Sequence, residues 1–244
     1  MDIRNIYQKE GQCYFPIKSI DEEFYNYLSE HYKSNDGTIH LRDKLWPSEG
    51  SDDGPTKIPL FSYLGPPSFR FDAGNLETTE EFNYREDDEK LFHELDLKKT
   101  ELVEEYKDWD ITQVWFTSNV YDDKIRKGRD NIVKYLYDLK DDELISDDKI
   151  ELTLYNKHCR FQHHTDGPEA GYLCSVVIYL NENYDISRGG LFDGEEQLSP
   201  EFGMCMVQDL TEHDFKHGVT EVTSGERYAL LSFPMLEGMK GYDN

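Results

Sequence analysis

The chain has 244 residues, which is enough for one large domain or two small ones with a substantial buried core. Its 51 acidic residues against 26 lysines and arginines give a formal net charge of −25, which disfavours nucleic acid and membrane as direct partners because their phosphates repel such a surface. A basic peptide or a cationic small molecule would be attracted, unless the acidic residues serve only to keep the protein soluble.

The expected cellular location of this protein is the cytoplasm. No apolar run approaches the roughly 20 residues needed to cross a bilayer, and the first ten residues lack the apolar core of a secretory signal. The four cysteines show no paired spacing such as Cys-x-x-Cys, so they are expected to be reduced thiols.

The first part of the chain predicts a helix followed by a long loop region. Ser19 and Glu22 have the spacing of a capping box, and the apolar residues after them recur at helical spacing. Gly-Pro and Pro-Pro pairs punctuate residues 34–75 and predict loops there. The aromatic residues of this region either form a lid over an active site or pack onto the domain's own core; they are Trp46, Phe61, Tyr63, Phe69 and Phe71.

Charged residues with apolar positions three or four apart predict two solvent-facing helices over residues 78–97 and 98–109. A strand over residues 111–116 and a longer helix over residues 122–139 follow. Since no internal repeat or low-complexity linker interrupts the chain, we expect one domain over residues 1–244. Residues 1–149 would supply helical support and the loop or lid region, and residues 150–235 the β core.

The second half predicts about eight short strands, enough for a double-stranded β-helix, or jelly roll. The expected fold class is therefore mainly β with flanking helices (α+β), a jelly roll buttressed by N-terminal helices. Strand alternation places Val177 and Tyr179 on the inner face, with Val176 and Ile178 outside under the helices.

Chemistry-bearing residues concentrate in the last third of the chain. His164 and Asp166 are two residues apart in extended sequence, so their side chains project to the same side and can reach one metal ion. His217 lies in a short predicted strand over residues 214–219, which a rolled sheet can bring alongside. Two imidazoles and one carboxylate are the ligand set that holds a non-heme ferrous ion and leaves positions open for chemistry.

Arg227 begins a returning strand over residues 227–233 and is expected near the metal, inside the barrel. A guanidinium has a rigid fork of donors suited to a bidentate grip on a carboxylate, and it stays charged near neutral pH. A small diacid such as 2-oxoglutarate has one carboxylate for this fork and a 2-oxo acid end that can chelate iron.

Residues 150–234 resemble the prolyl 4-hydroxylase-like branch of the 2-oxoglutarate and Fe(II)-dependent dioxygenases. Five blocks in the right order carry the resemblance: Glu151-Leu152-Thr153-Leu154-Tyr155, His164-Thr165-Asp166, Val177-Ile178-Tyr179-Leu180-Asn181, Arg188-Gly189-Gly190-Leu191, and His217 with Gly225-Glu226-Arg227-Tyr228-Ala229.

The resemblance implies a role for each matching residue. His164, Asp166 and His217 would bind Fe(II), and Arg227 would pair with the distal carboxylate of 2-oxoglutarate. Tyr179 matches a tyrosine that some relatives aim at the same carboxylate, and Tyr155 matches one that lines the pocket; plain packing inside the barrel is the alternative for both tyrosines.

Two positions bear on the kind of reaction. Phe233 stands where the family usually has tryptophan, a change that conserves size. Asp166 is retained, whereas halogenating relatives replace that carboxylate with a small residue, so halogenation is not expected.

The reaction implied by the resemblance is hydroxylation of an unactivated carbon with release of succinate and carbon dioxide, supported by ascorbate. The expected substrate is a prolyl residue of a peptide or protein. A free amino acid or small metabolite is the first alternative, and a barrel that binds metal or ligand without turnover is the second. Retention of all three metal ligands and of the arginine argues against the non-catalytic reading.

Overall fold

The computed structural model describes residues 2–35, 68–74, 76–81, 88–140, 142–145, 149–167 and 171–236. Among the aromatic residues expected in a lid or on the core, Trp46, Phe61 and Tyr63 lie outside the described residues.

Four α-helices occur in these ranges: α1 Ile3–Glu10, α2 Glu22–His31, α3 Asp88–Glu105 and α4 Asp123–Tyr137. None of the four is both long and apolar enough to cross a membrane. The strands are β1 Gln12–Pro16, β2 Ser34–Asn35, β3 Ser68–Ala73, β4 Leu76–Glu81, β5 Ile111–Asn119, β6 Leu144–Ile145, β7 Ile150–Tyr155, β8 Arg160–His164, β9 Cys174–Tyr179, β10 Asn181–Glu182, β11 Phe192–Asp193, β12 Gln197–Leu198, β13 Met204–Asp209, β14 His217–Val219, β15 Arg227–Ser232 and β16 Met235–Leu236.

The helices α2 and α4 confirm their predictions, but the capping box was wrong. The Asp21 carboxylate, not Ser19, caps α2 by accepting the N–H of Phe24 at 2.8 Å. Ser19 ends a 3-10 turn, Ile17–Ser19, and the aspartate two residues later offers its oxygen where the helix begins. Asp122 caps α4 in the same way, by accepting the N–H of Lys124.

The region before α3 differs from the sequence prediction. Residues 76–81 form the strand β4 instead of the start of a helix, and the two expected helices are one, α3. Residues 68–73, expected in a loop, form β3, which pairs with both β4 and β5. Strand pairing with a distant segment overrides a local pattern that fits a helix equally well. Phe69 and Phe71 are fully buried, so these two aromatic residues pack onto the core.

Twelve strands of the described chain form one curled sheet. Its order is β1-β13-β9-β15-β7-β5-β8-β14-β11-β12, with β3 beside β5 and β4 beside β3, and the pairs within it are antiparallel. Eight of these strands come from the second half of the chain, as predicted. The first half adds β1 at one edge, β5 between β7 and β8, and β3 and β4 beside β5.

The sheet turns at β5, whose end pairs with β7 while its beginning pairs with β8. The curl brings Phe192 of β11 against Tyr179 and Ala229 in a small apolar cluster inside the roll. Val176 and Ile178 belong to the larger cluster on the other face, which includes buried residues of α2 and α4. The predicted alternation of β9 is therefore confirmed, with the outer face covered by helices. All four cysteines are free and buried, in agreement with the expected reduced thiols.

Candidate metal centre

His164 and His217 are brought together by the pairing of β8 with β14, in which the two residues are direct partners. Their ring centroids lie 4.5 Å apart. The next pair along this ladder is Val219 with Phe161, so β8 advances three residues where β14 advances two. This β-bulge shifts the phase of β8 and puts Phe161 on the same face as His164, with ring centroids 3.9 Å apart.

Gly218 lies opposite the bulge and has a steric reason to be glycine. A Cβ at this position would stand 2.7 Å from the carbonyl oxygen of Phe161 and 3.1 Å from the nitrogen of His163. The missing side chain therefore lets β14 approach the bulged strand closely enough to present His217 beside His164.

Asp166 completes a triad with the two histidines. Its Oδ1 lies 3.2 Å from His164 Nε2 and its Oδ2 lies 3.7 Å from His217 Nε2. These separations are comparable to those between neighbouring ligands on an ion about 2.1 Å from each. Among the described residues, this is the group of histidine, cysteine and acidic side chains placed to hold a metal ion.

Backbone carbonyls orient both imidazoles. His164 Nδ1 donates to the carbonyl of Gln162 at 3.1 Å, and His217 Nδ1 donates to that of Phe215 at 3.0 Å. Because a carbonyl oxygen only accepts, each Nδ1 carries the proton and each Nε2 keeps its lone pair, pointing to the carboxylate. Burial also lowers the pKa of His217, against the opposing effect of the Asp166 charge, which favours the neutral ring that a metal requires.

The opposite wall of the roll carries Arg227, Tyr155 and Tyr179. Arg227 and Tyr155 are partners across β15 and β7, and Ala229 and Tyr179 are partners across β15 and β9. The Arg227 guanidinium carbon lies 4.9 Å from the ring centre of Tyr155 and 5.4 Å from that of Tyr179. The structure thus brings both tyrosines beside the arginine.

The pocket holds a buried positive charge with unsatisfied donors. Arg227 is 3 % exposed, and no carboxylate among the described residues forms an ion pair with it. Its Nε and the hydroxyl of Tyr179 are buried without a hydrogen-bond partner within the described part of the chain. An unpaired buried charge is costly, so a bound anion is the natural complement of this wall. Burial raises the pKa of Tyr179 and of Tyr155, against the effect of Arg227, so both phenols remain neutral.

Gly190 gives the arginine stem its room. A Cβ at Gly190 would lie 3.1 Å from Arg227 Cδ and 2.7 Å from the hydroxyl of Tyr184, and the backbone φ of +66° also favours glycine. The second glycine of the Arg-Gly-Gly block therefore belongs to the same wall as Arg227.

Two residues of the site had no predicted role. Asn181 stood in a matching block, but its hydrogen-bond partners are 45 and 47 residues away in sequence and nothing local identifies them. Trp115 of β5 stacks on Tyr155 with centroids 5.9 Å apart and meets the ring of Phe161 edge-on at 4.8 Å. It therefore stands between the metal ligands and the arginine wall.

The two histidines nearest the motif in sequence lie elsewhere. His163 is 45 % exposed and pairs with Asp193, with 3.2 Å between Nε2 and Oδ2. His213 stacks on Phe215, and its ring fills the space beside Gly11. Neither belongs to the triad.

Comparison with known proteins agrees with this geometry. No curated protein sequence matches the chain. Residues 150–234 match the model of the 2OG-Fe(II) oxygenase superfamily.

Several solved structures are similar to the chain. A Pseudomonas putida prolyl-4-hydroxylase is 14 % identical, with 96 % of each chain covered and a TM-score of 0.54. A Trichoplax adhaerens prolyl hydroxylase, in complex with a hypoxia inducible factor peptide fragment, is 11 % identical with a TM-score of 0.45, over 96 % of this chain and 87 % of that one. A viral collagen prolyl hydroxylase from Paramecium Bursaria Chlorella virus-1 is 16 % identical with a TM-score of 0.41, over 50 % and 79 %.

The jelly-roll fold is shared with the Pseudomonas structure, and the matched segment contains every residue of the triad and the arginine. Residues 150–234 therefore match the 2OG-Fe(II) oxygenase superfamily, whose members include the 2-oxoglutarate-dependent dioxygenases, and the chain shares the jelly-roll fold of the Pseudomonas structure.

Proposed function

We propose that the protein is a hydroxylase that inserts oxygen into an unactivated C–H bond of a prolyl residue in a peptide or protein. His164, Asp166 and His217 would hold Fe(II), and Arg227 would bind the distal carboxylate of 2-oxoglutarate. The observation that carries the proposal is the pairing of a facial triad with a buried guanidinium that has no acidic partner among the described residues.

The residues fit the two groups that the family implies. Two imidazoles and a carboxylate leave half of an octahedral coordination sphere open, which suits a chelating 2-oxo acid and dioxygen. The donor set of the opposite wall, a guanidinium and a neutral phenol, suits one carboxylate. A diacid would satisfy the orphaned Arg227 Nε and Tyr179 hydroxyl at one end and reach the triad at the other.

When bound, iron and 2-oxoglutarate supply the oxidation: dioxygen and 2-oxoglutarate are consumed, the substrate C–H becomes C–OH, and succinate and carbon dioxide are released. The protein's own residues bind and orient. The backbone carbonyls behind His164 and His217 fix the imidazole tautomers, and the aromatic rings of Tyr155, Phe161 and Trp115 exclude water. No side chain needs to transfer a proton.

A prolyl substrate is supported by the name of the Pseudomonas putida structure, which matches the chain over 96 % of both lengths. The formal charge of −25 supports a basic target segment, because an acidic surface attracts cationic partners. Ascorbate would keep the iron reduced and sustain turnover.

The deciding experiment is succinate release from 2-oxoglutarate with Fe(II) and ascorbate, measured with basic and acidic proline-containing peptides and with free amino acids. We expect stimulation by the basic peptides and a mass increase of one oxygen on proline. Stimulation by free amino acids alone would establish a metabolite hydroxylase instead. Absence of succinate with every substrate and of uncoupled turnover would indicate a barrel that binds without catalysis.

A further inference from the structure

The Asn181 side chain holds the backbone on both sides of Arg227. Its Nδ2 donates to the carbonyl of Glu226 at 2.9 Å, and its Oδ1 accepts the N–H of Tyr228 at 2.6 Å. The residue is 1 % exposed. One amide thus spans the peptide units immediately before and after the arginine.

These two side-chain bonds take the place of strand pairing where the ladder between β9 and β15 ends. The ladder between β9 and β15 ends with Ala229 and Tyr179, after which the Leu180 N–H donates to the Tyr228 carbonyl at 3.1 Å. The chain then leaves β15, and β10 pairs with β2. The amide therefore bonds the part-buried carbonyl of Glu226 and the buried N–H of Tyr228, and backbone groups in such surroundings are stabilised by a hydrogen-bond partner.

The direction of the arginine depends on this backbone. Its other flank is held by pairing with Tyr155, and its stem is confined by Gly190. Rotation of the backbone at residue 227 would therefore swing the guanidinium away from Tyr155 and Tyr179.

We propose that Asn181 is a positioning residue that aims Arg227 at the distal carboxylate of the co-substrate. This inference rests on the proposed function of Arg227. Asn181 touches no reacting atom, so its effect must appear as weaker 2-oxoglutarate binding transmitted through the arginine.

The test compares Asn181→Ala with the wild type in two anaerobic titrations, one of Fe(II) alone and one of 2-oxoglutarate into the Fe(II) enzyme. The second is followed by the visible charge-transfer absorption of the chelate. We expect 2-oxoglutarate affinity to fall roughly tenfold, the loss of a well-placed contact to a charged group, with Fe(II) affinity within about twofold. Asn131→Ala, which removes a side-chain bond to Asp21 in the helical layer, is the matched control and should leave both affinities unchanged.

A double variant separates positioning from a general structural role. In the Arg227→Ala background, Asn181→Ala should cause no further loss of 2-oxoglutarate affinity, because the pair acts as a unit. An additive loss, an equal loss of Fe(II) affinity, or unchanged 2-oxoglutarate affinity in Asn181→Ala would each overturn the inference. If Asn181→Ala does not fold, Asn181→Ser takes its place in every comparison. Failure of the wild type itself to bind 2-oxoglutarate would instead refute the proposed function.

An independent observation concerns Trp115. The residue is 7 % exposed, and its indole N–H is buried without a hydrogen-bond partner among the described residues. Its ring contacts Tyr155 on the arginine side and Phe161 on the metal side, and Phe161 in turn contacts His164. Buried indole N–H groups usually have a hydrogen-bond acceptor. A molecule bound in the pocket would supply one for Trp115.

We infer that the Trp115 N–H donates to the carboxylate at the metal end of the 2-oxo acid. Like the first inference, this one rests on the proposed function. Trp115→Phe keeps an aromatic ring between Tyr155 and Phe161 and removes the donor. We expect affinity for 2-oxoglutarate to fall by roughly tenfold and affinity for 2-oxovalerate, which lacks the distal carboxylate, to fall by a similar factor.

Arg227→Ala is the comparison variant. It should lower the affinity for 2-oxoglutarate far more than the affinity for 2-oxovalerate, because only 2-oxoglutarate has the distal carboxylate. Unchanged affinities in a folded Trp115→Phe variant would show that the indole serves only packing. A loss of affinity for 2-oxoglutarate alone would mean that the indole contacts the distal carboxylate and not the carboxylate at the metal end. That result would also overturn the inference. Trp115→Leu, which also lacks a donor, provides the same comparison if the phenylalanine variant does not fold.

Discussion

His164 and His217 face each other across the β8–β14 ladder, 53 residues apart in sequence and 4.5 Å apart between ring centroids. The Nδ1 of each ring is bonded to a carbonyl two residues earlier in the chain, and both Nε2 atoms face Asp166. The candidate metal centre is therefore built from two local side-chain to backbone bonds and one non-local strand pairing. Several expectations depend on this arrangement.

His217→Ala removes one of three metal ligands and should lower Fe(II) affinity by more than about 100-fold, beyond the loss typical of outer-shell changes. Anaerobic titration calorimetry with Fe(II) measures the affinity, and succinate release should vanish in parallel. The matched control is His163→Ala, whose exposed ring pairs with Asp193 and not with the triad. Normal iron binding by His217→Ala would contradict the assignment of the ligands.

Ligand binding should stabilise the native state measurably. Fe(II) at about 100 times its dissociation constant should add roughly 2.7 kcal/mol to the free energy of unfolding, because it binds the folded site and not the unfolded chain. Differential scanning calorimetry should show a higher melting temperature that chelator reverses. His217→Ala should show no such rise; an equal rise there would point to metal bound elsewhere.

Arg227→Ala removes the buried guanidinium and should raise the KM for 2-oxoglutarate by roughly 10- to 100-fold, the loss of hydrogen bonds between charged groups. The kcat at saturating co-substrate should change less, because the metal ligands are intact. Steady-state succinate release at varied 2-oxoglutarate separates the two parameters. Arg160→Ala, which removes a half-exposed arginine bonded to Glu221, should leave the KM unchanged. Equal effects of the two substitutions would argue against a specific anion site at Arg227.

Gly218→Ala should push β14 away from the bulge in β8, because its Cβ would meet the Phe161 carbonyl at 2.7 Å. We expect a loss of about 1–3 kcal/mol in stability together with weaker Fe(II) binding. Gly74→Ala is the comparison: its φ is +63°, and its Cβ would meet only Trp109 at 3.5 Å, so strain of about 1 kcal/mol should appear without an effect on iron. Urea unfolding and iron titration of both variants measure the difference, and unaltered iron binding in Gly218→Ala would refute the steric account.

Lys99→Met should destabilise the fold without touching the chemistry. The Lys99 ammonium is buried beneath α3, where it bonds to Asp96, Asn156 and the carbonyl of Lys157 at the end of β7. The substitution removes the ammonium that joins α3 to the segment after β7 and should cost about 1–3 kcal/mol. Lys107→Met removes an exposed ion pair and should cost almost nothing. Turnover per folded molecule should be normal in both variants, as measured after correction for the folded fraction.

The grouping of His164, Asp166 and His217, with Arg227 nearby, was predictable because few side chains can bind a metal or a carboxylate. A His-x-Asp pair in extended sequence must project to one side, and the amphipathic pattern of β9 and β15 determines which face turns inward. The helices α2 and α4 were predictable from periodicity, since their buried residues recur with helical spacing.

The region of β3 and β4 was not predictable, because β3 is stabilised by pairing with β5, some 40 residues away, and β4 in turn pairs with β3. A window of Thr and Glu residues satisfies either secondary structure until its partner is known. The bulge that turns Phe161 toward His164 was hidden for a similar reason: a phase shift within a strand exists only relative to the neighbouring strand.

The amino-acid sequence by itself determined which side chains are the candidates for binding a metal and an anion, since these candidates depend on which residues the chain carries and in what order. Only the tertiary structure decided that Asn181 brackets Arg227 and that Trp115 joins the two walls of the pocket. The physical reason is that hydrogen bonds and ring contacts between distant strands depend on how the sheet curls, and that curl is a property of all the strands together.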